Sequence, residues 1–260
     1  MDKIPVLDIP IFDKSIPVAV SRITSICLGS RENRFNRCIS ATDAHGIVYS
    51  KKNSEFRETL NQFYLRLPDG MPIVWVGRLK GAKQMGRCYG PDFFKEVMIA
   101  SGDKPIRHYL CGGKYGVAED LRFACADKFK NTNIVGTYCP PFRTMTDDEF
   151  RLLANDINSK NADIVWVGLG TPKQELFAVQ LAKFTKVHFI VTVGAAFDFH
   201  TGRVAQAPKF LQKSGLEWFF RLCMEPRRLY GRYAEVVPAF VYFNLKEYIF
   251  YLLKKYRYNS

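Results

Sequence analysis

The chain has 260 residues, is 47% hydrophobic and 24% charged, and carries a formal net charge of +13. That length and apolar content exclude a disordered or fibrous protein and suffice for one large unit or two small ones. The positive excess is uneven: residues 201–260 hold 11 Lys/Arg against 4 Asp/Glu, so a basic C-terminal stretch follows a nearly balanced body, and its partners belong to anionic classes such as phosphorylated small molecules, anionic lipid or nucleic acid.

The opening "MDKIPVLDIPIFDKS" carries Asp2, Asp8 and Asp13 where a signal peptide would have an apolar run, so none is expected. "IPVLDIPIF" (4–12) reads as a strand or hairpin, 14–30 as a helix, 37–44 as a strand and 45–63 as one helix. A turn at Pro68-Asp69-Gly70 precedes the apolar run 71–81, which reads as a strand. A helix is expected over 90–102, a strand over 106–113 and a helix over 114–129. A strand and loop cover 131–142, and a helix over 144–161 opens on the capping box Thr146-x-x-Glu149. Then come a strand (162–170), a helix (171–184) and a strand (187–199). Strands alternating with helices predict an α/β protein with a mainly parallel sheet and helices on both faces, and such sheets bind ligands off the carboxyl ends of their strands.

The pattern changes near residue 200. Residues 1–205 form the expected core, and 206–260 an appended helical unit, aromatic and basic together. Its most apolar stretch, 236–253, is interrupted by Pro238, Asn244, Lys246 and Glu247, so it is not expected to cross a membrane.

The seven cysteines are irregularly spaced, with no Cys-x-x-Cys, which argues for reduced, packed thiols over a disulfide framework or zinc site. His45, His108, His188 and His200 lack ligand spacing, and no Asp-x-Asp triplet offers a metal for a diphosphate, so no metal and no cofactor is expected.

Two predicted strands end in glycines and run straight into helices. "YLCGGKYGVAED" places Gly112, Gly113 and Gly116 before one helix; "VWVGLGTPKQELFA" places Gly168 and Gly170 before another, with Thr171 as its expected N-cap and Pro172 in its first turn. Glycines admit a ligand to the backbone, and helix N-termini favour anions. Either pair alone is equally a tight turn; together they point to a phosphate or sugar site, with Gln174 at its mouth. In the tail, aromatics alternate with Arg221, Arg227 and Arg228. That composition suits stacked nucleic-acid bases, a membrane interface or a core helix with a basic outer face.

Four blocks in order, "DGMPIVWVGRLKG", "GGKYGVAED", "VGLGTPKQE" and "VGAAFDFHTGRVAQAPKFLQKSGLEWFFRLCMEPRRL", resemble the WecG/TagA/CpsF bacterial glycosyltransferases over about residues 36–232. The resemblance implies a compact Rossmann-like fold and an inverting, metal-independent enzyme. Such enzymes move a hexose or N-acetylhexosamine from a UDP-sugar to a sugar on polyprenyl diphosphate, for teichoic acid, capsule or exopolysaccharide. It implies Asp69 as the base, Arg87 as a functional arginine, Gln174 as a substrate ligand and the tail as a peripheral attachment to the inner face of the cytoplasmic membrane. In "ATDAHG", beside Thr42, Asp43 stands where the family often has the Asn of a Thr-x-Asn. An anion lacks the donors of an amide, so Asp43 either reads a different sugar or shares the base role.

On this reading an acceptor hydroxyl displaces UDP at the anomeric carbon. Asp69 takes its proton, while Gly112, Gly113, Gly168, Gly170, Thr171, Gln174 and Arg87 or a tail arginine hold the diphosphate. Asp198, Arg203, Arg221, Arg227 and Arg228 extend the substrate site from the last block. A homo-oligomer is compatible with these features, and nucleic acid is not an expected partner. The competing class is a nucleotide-binding protein with an RNA-binding tail. A nucleotide-sugar epimerase or dehydrogenase is disfavoured, because the sheet-bearing part has no Gly-x-Gly-x-x-Gly and no Tyr-x-x-x-Lys.

Overall fold

The computed structural model describes residues 2–30 and 34–258, with side chains through Phe250. Asn259 and Ser260, the end of the expected appendage, lie outside the described residues. The chain opens with a hairpin, β1 (Lys3–Val6) and β2 (Ile9–Phe12), paired Lys3 to Phe12 and Val6 to Ile9. Leu7 and Asp8 turn it with positive φ of 49° and 69°, the handedness that matches the twist of two-residue hairpins.

The core is a six-stranded sheet in the order β4-β3-β8-β7-β5-β6, and all its pairings are parallel. Its strands are β3 (Arg37–Thr42), β4 (Leu65–Pro68), β5 (His108–Gly112), β6 (Ile134–Tyr138), β7 (Ile164–Gly168) and β8 (Phe189–Thr192). The α/β, Rossmann-like expectation is met. Alternate residues serve opposite faces, as the pleat requires. Ile164 and Trp166 of β7 pack with α1 (Ile16–Cys27), α5 (Gly90–Ser101), α6 (Val117–Phe129) and α9 (Ala196–His200). Val165 and Val167 pack on the other face with α7 (Asp147–Ser159) and α8 (Lys173–Ala182). Burial on both faces explains why these strands read as unbroken apolar runs.

Three boundaries differ from the sequence reading. The run 71–81 is a helix, α4 (Met71–Leu79), not a strand. Gly70 caps it in extended conformation, Pro72 fits its first turn, and Ile73, Val74 and Gly77 bury one helical stripe. The strand of this unit is β4, before Asp69. The helix over 45–63 is two, α2 (Ala44–Lys52) and α3 (Ser54–Asn61). Asn53 is extended (φ −132°, ψ 108°) and its side chain accepts the Phe56 N–H at 2.8 Å, so one residue ends α2 and caps α3. The last strand stops at Thr192, and α9 takes up Ala196–His200. The Thr146–Glu149 capping box forms as expected.

The tail is helical: α10 (Lys209–Lys213), α11 (Glu217–Met224) and α12 (Pro226–Tyr258), with Pro238 inside α12. Val236 and Phe240 of α12 are buried in a third cluster with the hairpin, Ile47 of α2 and Ile73 and Val74 of α4. Lys52–Glu235 and Lys80–Glu247 ion pairs pin it further. No helix among the described residues is long and apolar enough to cross a membrane.

Candidate active site

The carboxyl ends of the parallel strands share one edge. β3 and β4 are neighbours there, and the loops leaving them carry Asp43 and Asp69. The Asp69 N–H donates to the Thr42 carbonyl at 3.0 Å, tying the loops together. Asp43 caps α2, its Oδ1 accepting the Gly46 N–H at 2.8 Å. Asp69 Oδ1 accepts the Gly90 N–H at 2.9 Å, so the N-terminus of α5 faces this carboxyl. Gly90 is needed there: a Cβ would lie 2.9 Å from the Val193 carbonyl oxygen. Burial pushes the Asp69 carboxyl up to about 7; the Arg87 guanidinium pulls it back only in part, and the Asp43 charge adds to the rise.

Arg87 spans the site. Its Nε donates to the Asp69 carbonyl at 3.1 Å and its Nη2 to Glu217 of α11, and its guanidinium lies 4.1 Å from the centre of the Tyr89 ring. Arg221, one helical turn beyond Glu217, packs 5.7 Å from the Phe199 ring, and its buried Nε has no hydrogen-bond partner. Asp43, Asp69, Arg87, Tyr89, Glu217 and Arg221 line one cavity of about 1150 Å³. A carboxyl raised toward neutrality thus stands beside the Arg87 guanidinium, and the Arg221 guanidinium, with an unsatisfied donor, lines the same cavity. Such an arrangement can hold an anionic ligand and accept a proton within one cavity.

The rest of the edge holds the glycine pairs. β5 and β7 are adjacent, yet α6 leads from β5 towards β6 and α8 leads from β7 to β8 on the other side. That divergence is a topological switch point, the usual ligand crevice of an open parallel sheet. Gly112 has φ +147°, and a Cβ on it would sit 2.6 Å from the Gly168 carbonyl oxygen; its glycine lets the two strands touch. A Cβ on Gly168 would strike the Phe197 ring. Gly113 donates its N–H to the Gly168 carbonyl at 3.0 Å. Gly170, at φ +75°, faces open space. Neither α6 nor α8 has a side-chain cap; the Val117 N–H of α6 donates to the Lys114 carbonyl and the Gln174 N–H of α8 to the Gly170 carbonyl, both at 3.0 Å.

Thr171 is not the N-cap of α8. Pro172 holds that position after a cis peptide, and the Thr171 hydroxyl donates to Glu175 Oε1 at 3.0 Å. Gln174 is buried, not at the mouth. Its Oε1 accepts the Gly194 N–H at 3.0 Å and its Nε2 donates to Glu175 at 2.9 Å, so it braces the loop after β8. Thr42 is buried too, its hydroxyl turned to Ser40 at 3.0 Å. Glu175 gathers Ser40, Thr171 and Gln174 on Oε1 while Oε2 stays unpartnered, and burial pushes its pKa up to about 7.

The described structure therefore brings Asp43, Asp69, Arg87 and Arg221 around one cavity. It places Thr42 and Gln174 in a buried layer beneath the same edge, with Thr171 half-buried above them. Three arginines and one aspartate of the last block lie apart. Arg203 pairs on the surface with Asp120 at 2.6 Å, Arg228 pairs with Glu225, and Arg227 is exposed. The Asp198 carbonyl accepts the Arg203 N–H at 2.9 Å beyond α9. Sequence reasoning missed Tyr89, Tyr233, His45 and Glu217, which also line the cavity. For Glu217 a signal existed: it precedes Arg221 by four residues, and that spacing puts both on one helical face.

A Rossmann-like parallel sheet whose carboxyl edge opens on a cavity lined by Asp43, Asp69, Arg87 and Arg221 has the architecture of an α/β enzyme that binds its ligands at the strand ends. The family can now be stated. The glycosyl transferase WecG/TagA/CpsF family matches residues 4–253 of the chain, nearly its whole length, and the protein belongs to that family. It is a glycosyltransferase of the kind used in cell-surface polysaccharide synthesis, where a sugar donor meets a lipid-linked acceptor.

Proposed function

We propose that the protein transfers a hexosyl or N-acetylhexosaminyl unit from a UDP-sugar to a sugar on polyprenyl diphosphate, with inversion at the anomeric carbon and without a metal. The observation that carries this reading is Asp69, held by Gly90 at the cavity wall with a pKa near 7 and Arg87 beside it, in a cavity that Arg221 also lines.

The acceptor oxygen attacks the anomeric carbon from the face opposite UDP. The new C–O bond forms as the bond to the diphosphate oxygen breaks, and UDP leaves with that electron pair. The acceptor proton passes to Asp69, whose pKa suits a base at neutral pH. Charge growing on the leaving diphosphate meets Arg221 and Arg87, and the positive dipole ends of α6 and α8 lie along the same edge. Glu217 holds the Arg87 edge that a phosphate would take. In this metal-independent reading these donors carry the neutralisation.

The tail supplies attachment. Phe210, Phe219, Met224, Tyr230 and Tyr242 are exposed in a segment rich in Lys and Arg, a composition suited to the inner face of the cytoplasmic membrane. UDP release from a panel of UDP-sugars, with and without a short-chain polyprenyl-diphosphate sugar, tests the reading. Acceptor-dependent release from one donor is expected; release from none overturns it.

A further inference from the structure

We infer that the groove between α4 and α12 is the seat of the acceptor's hydrocarbon chain, leading its sugar to Asp69; this rests on the lipid-linked acceptor of the preceding reading. The cavity that begins at Asp69 and Arg221 continues far beyond what a sugar and a diphosphate need. Its walls become apolar: Met71, Trp75 and Leu79 on α4 face Val237, Phe240 and Val241 on α12. Ile4 and Pro5 of the hairpin contribute beside them. Between Tyr233 and Glu247, Asn244 is the single polar side chain that α12 gives to the lining.

Geometry selects the occupant. The α12 lining runs from Tyr233 to Tyr248, a length of roughly 22 Å at helical rise. An extended hydrocarbon chain matches a lining of that length and character, continuous with the Asp69 end of the cavity. The polarity is graded to match an amphiphile with a charged head: carboxyls and guanidinium groups at one end, then mainly alkyl and aromatic side chains, with the Lys80–Glu247 pair neutralising itself at the far end. At the far end the lining reaches the surface as Leu79, Leu245 and Tyr248, which are 81%, 55% and 52% exposed. An apolar rim there gives a chain a route from a bilayer without crossing water. UDP-sugar offers nothing to this lining, so the groove discriminates acceptor from donor.

The test is an acceptor series with one sugar-diphosphate head and chains of five, ten and fifteen carbons, assayed with the intact protein. Each buried methylene is worth roughly fourfold in affinity, so acceptor KM is expected to fall at least about tenfold from the shortest chain to the longest. Leu79→Asn and Val241→Asn alter exposed wall positions. They are expected to raise KM about tenfold for the fifteen-carbon acceptor and leave both donor KM and the five-carbon KM unchanged. Equal KM at all chain lengths, or equal effects on short and long chains, overturns the groove. Binding is read separately by Trp75 emission during titration with farnesyl diphosphate, with Trp75→Phe to subtract Trp166 and Trp218. A saturable Trp75 response supports the groove even if no acceptor is glycosylated, an outcome that would count against the transfer reading alone. A missing response, or an equal one to a short-chain phosphatidylglycerol, rejects it.

Discussion

Arg87 holds two elements at once: its Nε bonds the Asp69 carbonyl at 3.1 Å and its Nη2 pairs with Glu217. The strand-end loop that carries Asp69, the proposed base, is thereby fastened to the tail helix that carries Arg221. The arginine orients the carboxyl's loop, offsets its charge and offers a diphosphate a cation. Arg87→Lys keeps the charge but loses the planar fork. It is expected to lower kcat by about a hundredfold, the order of one preorganised donor, with a smaller change in donor KM. Steady-state kinetics on both substrates check this; near-normal kcat would mean that charge alone suffices.

Asp69 sets the acid limb of the rate profile. Its folded pKa is about 7, and the base is the ionised form, so kcat/KM is expected to rise with pH up to about 7 and then level. Asp69→Asn abolishes that limb and lowers kcat by about 10²–10⁴. A profile flat from pH 5 to 8 in the native enzyme would remove the base role.

Neighbouring charges tune that limb in a predictable direction. Asp43 and Glu217 both push the Asp69 pKa up. Neutralising either leaves the Asp69 carboxylate easier to form, so Asp43→Asn and Glu217→Gln each move the limb to lower pH. Glu217→Gln also weakens the hold on Arg87, so donor KM is expected to fall as the guanidinium becomes free for phosphate. A limb that stays in place in both variants would assign it to another group. Glu175→Gln serves as the control, because Glu175 also titrates near 7 and lies beneath the edge.

Much of this arrangement was legible before any coordinates. The alternation of strand and helix gave the parallel sheet, Asp69 was marked by the block it opens, and Arg87 by its place in the segment after that block. The boundary errors have one physical origin. "MPIVWVGRLKG" is apolar enough for a strand, and only Gly70 and Pro72 disclose a helix start. β4 has four residues, too few for a period to show. The buried layer was misread for a related reason: Gln174 and Glu175 follow a glycine turn, where polar residues normally face water, and only the tertiary fold turns them inward. Gly112 reads as a phosphate loop but serves a strand contact with Gly168, a cause invisible from one strand alone. Glu217 sits in another helix, and local sequence does not report its partnership with Arg87.

Glu175 offers a prediction about stability rather than rate. Its carboxyl is almost wholly buried, and its folded pKa of about 7 lies above the ordinary value of 4.5. Between those values the folded protein keeps a proton that the unfolded chain has released. The stabilisation is therefore complete below about pH 4.5 and is lost as pH rises through 7, on the order of 3 kcal/mol for this group. Glutamine has the same shape, keeps a carbonyl for Ser40, Thr171 and Gln174, and does not ionise. Glu175→Gln is thus expected to melt several degrees above the native protein at pH 8 and to converge with it near pH 5. Thermal unfolding at both values decides the matter. A variant less stable than the native protein at pH 8 would show that the Glu175 anion is itself held by the fold, and that the polar layer under the active edge is built around a charge.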